Sequence, residues 1–177
     1  MARVKWEERK FMFDFPAEIY PEMIERLRGA PARIEDRVKG LPSATLTQRD
    51  AGRWSIQENI GHLLDLEPLV AGRLDDYDAN LATLRAADMT NRKTHAAQHN
   101  GTPAENLLRA FRKARLALVE RLEKYPADFF ARAALHPRLK KDMRVTDMLF
   151  FQSEHDDYHL ARISELIRLF QRASGDA

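Results

Sequence analysis

Glu154-His155-Asp156-Asp157-Tyr158-His159 lies inside an unbroken helical pattern that runs from about Thr146 through Phe170, with Gly175 just past its end. Met148, Phe151, Ile163 and Leu166 recur in that run at helical spacing, and His155 and His159 fall on the same apolar stripe. Residues at i and i+4 share one helix face with Cβ atoms about 6 Å apart, so two imidazoles placed this way can share one ion. The stripe predicts that both face the interior of a helical assembly. Two histidines do not complete a metal centre, but Gly61-His62-Leu63-Leu64-Asp65 offers a third, at the edge of an apolar face with Leu66 and Leu69. Three histidines from two helices leave an open coordination position, the layout of a catalytic rather than a structural metal.

Outward from that run, three more helical stretches organise the chain. The first spans about Pro16 to Val38, with Ile19, Met23, Leu27, Ile34 and Val38 as its apolar stripe, and Gly40, Pro42 and Ser43 break it. The second opens at Ser55, with Glu58 three residues on completing a capping box, and carries Ile56, Ile60, Leu63, Val70, Leu74, Tyr77 and Leu81 up to Leu84. Between Asp88 and Gly101 the pattern lapses into a polar connection. The third begins at Thr102-Pro103-Ala104-Glu105, with threonine as cap, and bears Leu107, Leu108, Phe111, Leu118 and Leu122 before Pro126. No strand-like alternation and no internal repeat interrupt this plan. Four helices of similar length predict an all-α four-helix bundle. One domain over 1–177 is expected, with Trp6, Phe11, Phe13 and Phe15 of an extended segment 1–15 packed across it.

The chain has 177 residues, enough to bury a core without staples. It has no cysteine, which excludes disulfides, thiolate zinc sites and cysteine nucleophiles and fits a reducing cytosol. The segment MARVKWEERK lacks the apolar stretch of a signal peptide, and no apolar run approaches membrane-spanning length. A cytoplasmic protein is therefore expected. Net charge is +2, from 29 basic and 27 acidic residues mixed along the chain, so no basic face for nucleic acid stands out. Arg109, Arg112, Lys113 and Arg115 come closest, but Glu105 and Glu120 flank them, and the group reads as a solvated helix face.

A buried neutral histidine needs partners for its nitrogens, and a hydrogen bond in the core satisfies it as well as a metal does. Glu58, one turn before His62, and Asp156, beside His155, are candidates to orient ligand imidazoles from behind, or merely to cap and solvate their helices. His95 and His99 form a second His-x3-His in the polar connection. They read as histidines of a solvated loop or a subunit contact, or as groups folding over the metal as acid-base residue, substrate contact or extra ligand. His136, before Pro137, reads as a turn residue that could line the same mouth.

At these residues the chain resembles the DinB-like (YfiT-like) metalloproteins. Trp54-Ser55-Ile56-Gln57-Glu58-Asn59-Ile60-Gly61-His62-Leu63-Leu64-Asp65-Leu66-Glu67 is similar to that family's second-helix signature. Leu135-His136-Pro137, Thr146-Asp147-Met148 and the run from Glu154 to Ile163 are similar to its closing segment, and order and spacing agree from about Pro16 to Leu169. The resemblance implies an up-down-down-up bundle, often dimeric, with one divalent metal such as nickel or zinc on His62, His155 and His159. It also implies a transferase that aims a low-molecular-weight thiol at a small electrophile, with Arg73 and Arg162 near a substrate carboxylate. Metal-dependent hydrolysis is the alternative reaction, and it needs a general base, for which Glu58 and His99 are the candidates. A metal-binding stress protein without enzymatic activity is the third reading.

Overall fold

The protein is described here by a computed structural model covering residues 3–175. Residues 1, 2, 176 and 177 of the expected domain, the first two of them in its N-terminal segment, lie outside the described residues. Six helices follow in chain order: α1 (Tyr20–Val38), α2 (Ser43–Thr47), α3 (Ile56–Asp78), α4 (Arg92–Ala97), α5 (Ala104–Leu122) and α6 (Val145–Gly175). α1 packs against α5 and α6, and α3 packs against the same two, so the four long helices close a ring in which α1 and α3 are diagonal. The architecture is an up-down-down-up four-helix bundle. Parallel α3 and α5 require a long return connection. Residues 79–103 make it, carrying α4 and a 3-10 turn, His99–Gly101.

Several boundaries differ from the sequence expectations. α3 stops at Asp78 rather than Leu84, because Asn80 adopts a left-handed conformation (φ 52°) and turns the chain. α5 is preceded by Pro103, with no side-chain cap from Thr102. The polar connection is partly helical, and α6 includes Gly175 rather than ending before it. An antiparallel hairpin, β1 (Ala133–His136) with β2 (Lys141–Arg144), joins the region between α5 and α6. Four residues per strand are too few to show alternation in the sequence. The hairpin is anchored by its neighbours: Tyr77 Oη donates to the Met143 carbonyl at 2.9 Å, and Leu135 N donates to the Ala82 carbonyl at 2.9 Å.

Two apolar clusters fill the bundle, one around Leu27, Leu74, Phe130 and Leu149, the other around Ile34, Ile60, Phe111 and Ile163. Arg115, expected on a solvated face, is fully buried instead. Seven residues after Leu108 and four after Phe111, it lies on the inward stripe of α5, and its fork is filled. Nε and Nη2 donate to Glu67 of α3 at 3.1 and 2.6 Å, and Nη1 donates to Asp156 of α6 at 2.5 Å. Nη1 also donates to the Leu27 carbonyl of α1 at 3.2 Å. That carbonyl lacks its usual helical partner because residue 31, four positions on, is Pro31, which has no N–H.

Removing one partner of a buried ion network leaves uncompensated charge and costs about 3–5 kcal/mol, whereas replacing the whole network by apolar groups costs far less. Arg115→Met is therefore expected to lose about that much stability in urea unfolding, and Arg115→Met/Glu67→Met/Asp156→Leu to recover a large part of it. An Arg115→Met protein as stable as the wild type would contradict this account.

Candidate metal centre

His62 projects from the second turn of α3, a helix whose start is fixed by the Ser55–Glu58 capping box. His155 and His159 project from the middle of α6 on the face that packs against α3. All three side chains are buried, and one ligand atom from each lies within 4.8 Å of the others. The Nε2 atoms of His155 and His159 face each other at 3.2 Å. Trp54 covers His62 with ring centroids 4.6 Å apart, and Trp6 meets His155 edge-on at 4.9 Å.

Hydrogen bonds on the far side of two rings assign their protons. His159 Nδ1 lies 2.8 Å from Asn59 Oδ1, an acceptor only, so the nitrogen donates and Nε2 is left bare. Asn59 is itself held in place by donating Nδ2 to the Ser55 carbonyl at 2.7 Å. On His62, Nδ1 lies 3.0 Å from Thr94 Oγ1, and that hydroxyl donates onward to Asp65 at 3.0 Å. The hydroxyl proton is thus committed to Asp65, so His62 Nδ1 donates and its Nε2 is bare as well. Burial pushes the His62 pKa down to about 3, with His155 adding to it, and burial together with Arg115 holds His155 at about 3. Burial depresses His159 too. The three imidazoles are neutral at pH 7, the form in which imidazole binds metal.

The donor set fits a divalent ion. The Nε2 atoms of His62 and His159 are bare, and His155 Nε2 lies within hydrogen-bond distance of His159 Nε2 at 3.2 Å, so a shared cation would take the place of that bond and engage all three rings. His155 Nδ1, buried without a hydrogen-bond partner, offers no competing use for the ring.

The residues expected to support these histidines are placed otherwise. Glu58 caps α3 and pairs with Arg49, Nε to Oε2 at 2.9 Å, without reaching His62. Asp156 points away from His155 toward Arg115, since consecutive helical residues diverge by about 100°. His99, in the 3-10 turn after α4, is buried, donates Nε2 to Asp65 at 2.8 Å and is not among the residues that line the cavity. A Cβ at residue 61 would overlap the His99 ring, which explains the glycine before His62. His95 and His136 both border the cavity in front of the histidines, at its exposed mouth and its buried inner wall respectively. Arg162 borders it too, but donates to Asp50 at 2.8 Å and Glu165 at 3.3 Å. Thr94, Asp65 and Asn59 were not singled out from the sequence. Asn59 and Asp65 stood within the quoted helix signature, whereas nothing local to Thr94 marks it.

The cavity has a volume of about 1170 Å³ and is walled by Trp6, Trp54, Leu66 and Phe151 as well as by polar groups. Among the described residues no helix is long and apolar enough to cross a membrane.

A helical bundle with a buried three-histidine cluster in the wall of a cavity is thus the class of protein that fold and site define. The DinB superfamily profile matches residues 26–163, and the chain belongs to that superfamily. Among solved structures it is similar to YfiT from Bacillus subtilis, described as a probable metal-dependent hydrolase with an unusual four-helix bundle topology. That likeness has a TM-score of 0.80 at 19% identity over 92% of this chain and 94% of the other. A mycothiol-dependent maleylpyruvate isomerase aligns with a TM-score of 0.66 at 12% identity, over 86% of this chain and 62% of that one. A protein from Streptococcus pneumoniae aligns at 0.63 with 9% identity, over 93% of both chains. No curated protein matches the sequence.

His136 allows a test of the electrostatics away from the cluster. Its Nδ1 accepts from Leu139 N at 3.2 Å, and burial with Arg73 and Arg138 lowers its pKa to about 4. The unfolded value is about 6.5, so between those values the unfolded chain takes up a proton that the folded one refuses. Stability carried by this group is complete above the unfolded pKa and falls as pH drops toward 4. Urea unfolding at pH 7 and pH 5 is expected to show a smaller acid-induced loss in His136→Gln than in wild type; equal losses would refute the assignment.

Proposed function

We propose that His62, His155 and His159 hold one divalent ion, nickel or zinc, and that the protein is a metal-dependent transferase delivering a low-molecular-weight thiol to a small electrophile. The observation that carries this reading is the cluster itself: three buried, neutral imidazoles converging from two helices, two of them with their protons assigned to the far side. When bound, such an ion supplies a Lewis acid that favours thiolate over thiol in the cosubstrate at neutral pH. The chain's own residues do the rest. Thr94 and Asn59 keep Nδ1 protonated and the rings aimed, while Trp6 and Trp54 shield the cluster from water.

Transfer is favoured over hydrolysis because the carboxylates nearest in sequence are engaged elsewhere, Glu58 with Arg49 and Asp156 with Arg115, and His99 is bonded to Asp65. The likeness to a probable metal-dependent hydrolase supports a second reading, in which water takes the place of the thiol and His95, at the cavity mouth, is the base. The proposal includes a cytoplasmic homodimer that acts on small molecules, with no role for nucleic acid or membrane.

Metal analysis by mass spectrometry on untagged protein purified without chelators is expected to find about one ion per chain, lost in His155→Ala/His159→Ala. Turnover of thiol–electrophile pairs by the loaded wild type supports transfer, turnover of esters or amides without thiol supports hydrolysis, and loading with neither supports a non-enzymatic metal-binding stress protein. Absence of metal in both proteins, even after incubation with nickel or zinc, refutes the centre. Thr94→Val and Asn59→Leu, which leave the ligands in place, are expected to weaken metal affinity by about 10–100-fold.

A further inference from the structure

On the cavity wall, three cationic or proton-donating groups converge with no carboxylate hydrogen-bonded to any of them among the described residues. Arg73, on α3, is 5% exposed, and its one hydrogen bond among the described residues runs from Nε to the Arg85 carbonyl at 3.3 Å. The nearby Asp76 attracts it without a hydrogen bond, and that carboxylate is shared, being gripped by Arg85 at 2.7 and 3.0 Å. Arg138, beyond β1, stacks over Phe151 at 5.5 Å and leaves Nη2 buried with no partner. The carboxylate whose field reaches Arg138 is Glu7, which is exposed. His136, 2% exposed, accepts at Nδ1 from Leu139 N, so its proton sits on Nε2, and that buried nitrogen too has no partner. All three residues border the same cavity.

Elsewhere in the protein the buried and half-buried arginines are matched: Arg115 by Glu67 and Asp156, Arg144 by Asp147, Arg162 by Asp50. Burying an unmatched guanidinium and an unsatisfied N–H costs free energy that an anionic ligand would return. Consistent with this, burial lowers the pKa of both Arg73 and Arg138.

We propose that Arg73, Arg138 and the Nε2–H of His136 form a carboxylate subsite, and that the substrate is an acid whose other end reaches the histidine cluster. The planar fork of arginine matches a carboxylate in two parallel hydrogen bonds. Arg73 lies eleven residues beyond His62 on α3, a rise of about 16 Å, which its own side chain shortens. The wall also carries Phe151 and Leu69. The substrate therefore has a carboxylate and a reacting atom at its other end. That second requirement rests on reading the histidines as the reaction centre; anion binding does not.

Calorimetric titration of metal-free protein with hexanoate, hexanamide and inorganic phosphate separates these points. Hexanoate is expected to bind about tenfold or more tightly than hexanamide, with Arg73→Met and Arg138→Met each abolishing the preference and Arg138→Lys retaining part of it. Thermal unfolding of each variant establishes that it is folded, and Arg138→Met, in a half-exposed turn, carries the test if Arg73→Met does not fold. Equal binding of acid and amide, or a preference unchanged in the folded arginine variants, overturns the subsite. Phosphate binding more tightly than hexanoate overturns its assignment to carboxylates. On cobalt-loaded protein, 8-mercaptooctanoate is expected to bind about tenfold or more tightly than its amide, and Arg138→Met to erase the difference. If the protein takes up no metal, the metal-free result still stands. If it takes up metal but shows no acid preference, the subsite alone fails.

Discussion

Arg115 is the constraint on which the rest of the structure depends. Its guanidinium meets Glu67 on α3, Asp156 on α6 and the Leu27 carbonyl on α1 from its own place on α5, so one side chain touches all four long helices. A hydrophobic core tolerates sliding by a fraction of a turn, whereas a bidentate ion pair does not. Glu67 lies five residues from His62, and Asp156 is adjacent to His155. Locking those two carboxylates to one fork fixes the register of α3 against α6, and with it the meeting of His62, His155 and His159. Pro31 belongs to the same device. By withholding its N–H it frees the Leu27 carbonyl for Arg115, so a helix defect becomes an interhelical bond.

The same cation acts on the site at longer range. Burial is the main reason His155 stays neutral, and the charge of Arg115 reinforces it. A negatively charged neighbour would do the opposite and favour imidazolium. Pairing Asp156 with Arg115 removes that carboxylate from the vicinity of His155 as an uncompensated anion. The sequence places Asp156 next to a histidine, and a direct contact between them is the natural expectation. Helical geometry turns the two side chains apart, and the ion network claims the carboxylate.

The long helices were legible because apolar residues recur at 3.6-residue spacing through each of them, and the capping box at Ser55 marks one start outright. His155 and His159 were legible for the same reason, as polar members of an apolar stripe. Arg115 was misread although it interrupts the α5 stripe between Phe111 and Leu118 in the same way. Its charged neighbours at 109, 112 and 113 suggested a solvated face, and a buried arginine is the less common outcome. The hairpin was hidden by its brevity, and Thr94 by distance. It reaches His62 from 32 positions away, through a connection whose path no local pattern records. What a helix does to its own residues can be read from spacing; which loop supplies the hydrogen bond behind a histidine depends on tertiary packing.

Charge matching distinguishes the parts of the cavity wall. At the mouth, Arg162 is neutralised by Asp50 and Glu165, and Arg3 lies within 3.8 Å of Glu165. Deeper in, Arg73 and Arg138 have no such partner, and the histidine cluster holds neutral rings facing one another. Charge-compensated arginines at an opening attract nothing in particular, while a buried one without a hydrogen-bonded carboxylate, as Arg73 is, acts at a low effective dielectric, where a charge is worth far more. On the proposed reading the interior is thus positive both at the histidine cluster and at the arginine wall. Selection for an anionic molecule then follows from the cost of leaving the arginines unsatisfied: a neutral molecule leaves the guanidinium wall without its counter-charge.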